Sequence, residues 1–188
     1  MKAPTTPVKP RVTSLNVFDR FQTVGDPVLE RMKTESARFV QDALDRKTPR
    51  WLSLVGSSGT GKTFLARMIL ERLWKSELYS HSLLKCGVLL QEWPAMLSKM
   101  REGSFYLSAD CGLANLLVLD EVMIGHDPNG FAADKLAGIL SSRVGKWTVI
   151  TSNLTIQAIG VIDTRISSRM FRDGSVVVKC DTIDWGLR

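Results

Sequence analysis

Eight consecutive residues, Gly56-Ser57-Ser58-Gly59-Thr60-Gly61-Lys62-Thr63, have the spacing G-x-x-x-x-G-K-T. Glycines at these positions let the backbone turn tightly enough for successive N–H groups to point inward, a concavity that suits phosphate oxygens. Lys62 is placed to reach the β- and γ-phosphates of a nucleotide. The Thr63 hydroxyl is of the type that ligates magnesium, and Phe64 follows directly. A Gly/Ser turn that merely precedes a helix would share the composition, so the flanks decide. Ahead lies the apolar run Trp51-Leu52-Ser53-Leu54-Val55; behind, Leu65, Ile69 and Leu73 recur on one helical face. A strand, a loop and a helix in that order bring the helix N-terminus, with its partial positive charge, to the same spot.

Further along, Asp120-Glu121 closes the apolar run Leu116-Leu117-Val118-Leu119. Phosphoryl transfer from a nucleoside triphosphate needs a metal, a positioned water and cations for the transferring group. Asp120 is placed to hold a magnesium shell and Glu121 to polarise the attacking water as general base. An ordinary polar strand end is the alternative, and an independent phosphate loop upstream favours the chemical reading. Asn153 ends the next strand, where its amide can orient water, although Asn also favours turns. Arg165 and Arg169 lie four apart and so share one side of a short helix. Arginine suits spread phosphoryl charge, yet spacing alone allows a surface ion pair equally well.

The elements that must carry these residues alternate. Asp26-Pro27 is a helix-start signal, and Met32, Ser36, Phe39, Val40, Ala43 and Leu44 mark one face of a helix ending before Pro49. Gly87-Val88-Leu89-Leu90 reads as a short buried strand, and Pro94 opens a helix with Met96, Leu97 and Met100 on its apolar side. A helix is expected from Gly130 to Val144, strands at 148–153 and 175–178, and a polar connection between Lys99 and Gly112. Strands alternating with helices predict an α/β domain around a mainly parallel sheet, in three layers. In such sheets ligands sit at the carboxyl ends of strands, where the phosphate loop, Asp120-Glu121 and Asn153 all fall.

With 188 residues, one domain is the simplest partition, long enough for a sizeable core. No apolar run is long enough to span a bilayer as a helix, and the Pro-rich start has no signal-peptide core. A cytoplasmic protein without membrane contact is therefore expected. Cys86, Cys111 and Cys180 follow no metal-ligand spacing, and His81 and His126 are the only histidines, which argues against zinc. The net charge of +6 suits a polyanionic partner but also fits an ordinary soluble surface.

Residues 1–17 read as a flexible basic arm. Within the polar connection, Lys99, Arg101, Phe105 and Tyr106 combine charge and rings in the manner of a single-strand nucleic-acid contact. A plain loop with two rings tucked into the core is the competing account.

The motifs Gly56–Thr63, Leu-Leu-Val-Leu-Asp-Glu, Ile-Thr-Ser-Asn-Leu and Arg-Ile-Ser-Ser-Arg-Met occur in that order. In this the chain resembles the AAA+ ATPases, and among them the DnaC-like helicase loaders and the IstB-like helper ATPases of transposition. The resemblance spans residues 18–188 and implies a P-loop fold without a separate lid domain. It implies binding and hydrolysis of ATP with Mg2+, Asn153 as sensor residue, and Arg169 as a finger offered to a neighbouring subunit's ATP. Arg165 would assist, and Arg188 falls roughly at the second sensor arginine. It further implies self-assembly on single-stranded DNA, acting in replication on a replicative helicase or, as the alternative, with a transposase. Too few residues precede the matched region for the loaders' N-terminal helicase-binding domain, so that contact would fall to the arm. A small-molecule P-loop kinase and a nucleotide-gated adaptor are competing classes; a kinase gains nothing from a residue that activates water.

Overall fold

The computed structural model describes residues 14–76, 87–122, 127, 129–172 and 174–184. A 3-10 helix (Ser14–Arg20) begins inside the range expected to be a flexible arm, and it is anchored by Phe18, which is fully buried. Residues 1–13 lie outside the described part, as do His81, Cys86, His126 and Arg188.

Five strands form one parallel sheet: β1 (Trp51–Val55), β2 (Val88–Glu92), β3 (Leu116–Asp120), β4 (Trp147–Ser152) and β5 (Val176–Lys179), in the order β2-β3-β4-β1-β5. The helices are α1 (Pro27–Leu44), α2 (Lys62–Trp74), α3 (Trp93–Arg101), α4 (Tyr106–Leu113), α5 (Phe131–Ser142), α6 (Ile156–Ile162) and α7 (Thr164–Met170). The central strands β1, β3 and β4 are buried along their whole length, as continuous apolar runs in a parallel sheet require. Side-chain alternation divides them between two cores. Leu117 and Leu119 pack with α3 to α7, whereas Leu116 and Val118 pack with α1, α2 and the 3-10 helix. The result is helix, sheet, helix in three layers.

Local signals place several boundaries. Asp26 caps α1, its carboxylate accepting from the N–H groups of Val28 at 2.8 Å and Leu29 at 3.2 Å, with Pro27 opening the helix. Leu65, Ile69 and Leu73 of α2 are all buried. β2 differs from the fully buried strand expected: it is half-buried because it lies at the sheet edge. The polar connection contains a helix, α4. It buries only Leu107 and Cys111 and so leaves almost no periodic apolar signal.

Register lines up the strand ends. Val55 pairs with Ser152, Leu119 with Ile150 and Glu92 with Asp120. The residues just past β1, β3 and β4 therefore meet at one edge of the sheet.

Candidate functional site

Gly61 is the N-cap of α2 with φ of 87°, a left-handed turn that swings the chain from the loop into the helix. A Cβ added there would meet Phe21 Cε2 at 2.7 Å, so the aromatic ring lies directly on the loop. Lys62 is buried; its Nζ donates to Gly56 O at 3.0 Å, to Ser57 O and, at 3.4 Å, to Thr60 Oγ1. Thr60 Oγ1 in turn donates to Ser57 O at 3.2 Å. Burial holds the Lys62 pKa below the usual lysine value, with Asp181, Asp120 and Glu121 among the charges opposing the shift. The lysine is thus folded onto the loop's own carbonyls, where the attraction of phosphate oxygens would compete for it.

Thr63 and Asp120 are brought together as a pair. The Thr63 hydroxyl donates to Asp120 Oδ1 at 3.0 Å across 57 residues of sequence. Asp120 is buried, and the same Oδ1 accepts from Thr151 Oγ1 at 2.5 Å. One hydroxyl and one fixed carboxylate side by side fit the hard-oxygen donor set of magnesium, which takes few protein ligands and completes its shell with phosphates and water.

Glu121 departs from strand geometry at once, with φ of 56°. For a non-glycine residue this is a sparsely populated conformation, held here by the Glu121 N–H donating to Thr151 Oγ1 at 2.8 Å. The next residue is tied as well, the Val122 N–H donating to Thr151 O at 2.8 Å. The exposed Glu121 lines a cavity of about 680 Å³ together with the phosphate loop and Asn153. That cavity also includes Ser58 to Thr63 and Phe64, and is closed on one side by Arg20, Phe21 and Gln22. Phe21 stacks on Phe64 with ring centroids 6.4 Å apart.

Arg165 and Arg169 lie outside that cavity, on α7. Arg165 is engaged within its own chain: its guanidinium pairs with Asp163 at 2.6 Å and with Asp134 at 2.8 Å. These bonds raise its pKa above the usual arginine value and lower that of Asp163. Arg169 is half-buried, and its NH1 donates to Arg165 O at 3.0 Å.

Of the basic and aromatic residues expected to meet nucleic acid, Phe105 and Tyr106 are 57% and 64% exposed, so the rings are not tucked into the core. Arg101 and Phe105 line a second cavity of about 710 Å³ with Phe131 and Lys135. Lys135 Nζ lies 5.0 Å from the Phe105 ring centre and 5.4 Å from that of Phe131. Lys99 and Tyr106 are exposed on α3 and α4 and do not line it.

Sequence reasoning missed Thr151, Arg20, Phe21, Gln22 and Lys135. Thr151 carries a usable signal, a hydroxyl two residues before Asn153 on the strand beside Asp120. The others reach their places only through tertiary packing.

No protein-family model matches the chain and no curated protein matches it significantly. Solved structures do. A crystal structure of the DnaC helicase loader superposes with a TM-score of 0.67 at 18% identity, covering 90% of this chain and 99% of that one. DnaI gives 0.62 at 20% identity, covering 81% and 83%. The replication initiator DnaA bound to AMPPCP and single-stranded DNA gives 0.58 at 20%, covering 77% of this chain and 44% of DnaA. Among the described residues, the five-stranded parallel sheet and its helices form a three-layer α/β fold that is similar in structure to the DnaC and DnaI helicase loaders and to DnaA.

Proposed function

We propose that this protein binds and hydrolyses ATP with magnesium, assembles with copies of itself, and acts in DNA replication as a helicase loader on single-stranded DNA. The observation that carries the reading is the shared cavity in which the phosphate loop, Glu121 and Asn153 converge beside the Thr63–Asp120 pair. Magnesium would supply positive charge against the charge that develops on the transferring phosphoryl group. Thr63 and Asp120 would hold it. Lys62 would leave the loop carbonyls for the phosphate oxygens, and Glu121 would draw the proton from a water that Asn153 orients. Phe21, Gln22 and Phe64 offer rings and an amide for the nucleotide base at the far wall.

Arg20 and Arg67 line the cavity, Arg67 being paired with Glu92 at 3.2 Å, while Arg165 and Arg169 are both on α7, outside it. An arginine presented by a neighbouring subunit would complete the site. The ion pairs of Arg165 with Asp163 and Asp134 favour Arg169 for that role. Exposed Val161, Ile162 and Phe171 around α7 supply apolar surface for such a contact.

The DnaA structure bound to AMPPCP and single-stranded DNA lends the fold a precedent for both ligands. On this chain the DNA would meet Lys99, Arg101, Phe105 and Tyr106, with Lys135 adding charge between the Phe105 and Phe131 rings. No described helix is long and apolar enough to cross a membrane.

The test is ATP turnover with and without single-stranded DNA across protein concentrations. Specific activity should rise with both, and Lys62→Ala should abolish nucleotide binding. Turnover that ignores both variables, or that requires a small acceptor, contradicts the reading.

A further inference from the structure

The residues that follow β5 lie on the phosphate loop. Cys180 continues the strand pairing, its N–H donating to Val55 O at 2.7 Å. Asp181 Oδ1 then accepts from the Ser57 N–H at 3.2 Å and the Ser57 hydroxyl at 3.4 Å. Thr182 donates to Asp26, the N-cap residue of α1, which ties this segment to the opposite end of the chain.

The loop glycines are fitted to this segment. A Cβ on Gly56 would stand 2.5 Å from Asp181 Oδ1 and 3.1 Å from the Cys180 backbone. At Gly59 it would stand 2.0 to 2.3 Å from the Asp184 carboxylate. The phosphate-binding pattern asks for glycine at positions 56 and 61 but leaves position 59 open. Gly59 has a φ of 69°, which itself favours glycine, and its absent side chain also leaves room for a carboxylate of this chain.

Two acidic side chains thus sit on a loop whose backbone amides and lysine are arranged for an anion. Neither acid lines the cavity itself, so a triphosphate there would place its further negative charge across the loop from Asp181 and Asp184. Like charges so placed repel even through partial solvent screening.

We infer that residues 180–184 form an anionic strap on the phosphate loop that weakens nucleotide binding, so that the loop binds more tightly once the strap is neutralised or withdrawn. The inference rests on the nucleotide-binding reading of the same loop. It names a regulatory consequence of that site. Because Thr182 is bonded to Asp26, withdrawal of the strap also releases a contact at the start of α1, coupling loop occupancy to the N-terminal side of the molecule.

The experiment compares the full chain with Asp184→Asn and with the double variant Asp181→Asn/Asp184→Asn. A fluorescent non-hydrolysable ATP analogue is titrated with magnesium, and hydrogen exchange of the 55–64 segment is measured without nucleotide. Neutralising Asp184 should tighten binding about three- to tenfold, the double variant more, and loop exchange should quicken. Binding by the double variant where the parent shows none would also support the strap. If the parent binds and neither variant binds more tightly, the strap is overturned while the nucleotide reading stands. If none of the three binds although loop exchange quickens, the nucleotide reading fails, and the strap's effect on binding with it.

Discussion

The Thr151 hydroxyl donates to Asp120 Oδ1 at 2.5 Å. Its oxygen also accepts the Glu121 N–H at 2.8 Å, so one side chain on β4 fixes two neighbouring acids at the end of β3. Asp120 is held against Thr63, and Glu121 is kept at a φ of 56°, pointing away from the strand path. Thr151 acts through these residues and positions them. Thr151→Val keeps the shape and removes the bonds. It should lower kcat about 10- to 100-fold, the range found when the partners that orient metal-site residues are lost, with little change in nucleotide affinity. Thr151→Ser should retain most activity. Equal losses in both variants would point to a packing role instead.

The two arginines of α7 should separate in experiment. Arg169→Ala should leave nucleotide binding intact and remove the part of turnover that rises with protein concentration, a loss on the order of 10³-fold or more for a finger of this kind. Arg165→Ala breaks surface pairs with Asp163 and Asp134. Both pairs are screened by solvent on the Arg165 side, so its effect on stability should be small. Loss of turnover confined to Arg165→Ala would reverse the assignment.

Asp42 gives a pH signature. It is buried at the end of α1 and accepts from Lys47 Nζ at 2.8 Å and Arg50 Nε at 3.1 Å. Burial alone would raise its pKa, but the two cations more than offset this and the value is lowered. A carboxylate with a lower pKa in the folded state contributes stability above its unfolded value of about 3.9. That contribution is lost as pH falls through the folded value. Asp42→Asn should therefore cost about 1–2 kcal/mol at neutral pH, with the difference shrinking as the pH falls below about 4, measured by urea melts.

Arg143 fastens the far end of the sheet. It is fully buried, with NH1 donating to Cys111 O at 3.1 Å and to Ala114 O, NH2 to Trp147 O at 2.5 Å, and Nε to Thr148 Oγ1 at 3.2 Å. Burial lowers its pKa to about 10, which leaves it charged at neutral pH. Arg143→Ala strands these acceptors away from water and should cost about 3 kcal/mol or more. Arg143→Lys cannot reproduce the planar fork and should recover only part of that.

What could be read in the sequence follows from how local each signal is. Val55, Asp120 and Ser152 end runs buried on both faces, and such runs announce themselves as unbroken apolar stretches. The phosphate loop and its two flanks were legible for the same reason. Glu121's turned backbone was not, because it depends on how β3 registers against β4. Phe21 was hidden by its distance along the chain from Gly61, the glycine it covers. α4 was hidden by having only Leu107 and Cys111 to bury, which is too few to set a period. Asp181 and Asp184 carry no local signal, because only the placement of β5 brings them onto Gly56 and Gly59.

The central claim is that the site on one subunit is completed by the next, and mixing two inactive variants tests it most directly. Lys62→Ala keeps Arg169 but loses the phosphate loop's cation, while Arg169→Ala keeps the loop but has no arginine to lend. Each alone should show little concentration-dependent ATP turnover. Mixed at equal concentration they should recover a substantial share of the parent's turnover, because a Lys62→Ala subunit lends Arg169 to an intact loop beside it. A mixture no more active than the sum of its parts, or an Arg169→Ala protein as active alone as the parent, would contradict the account.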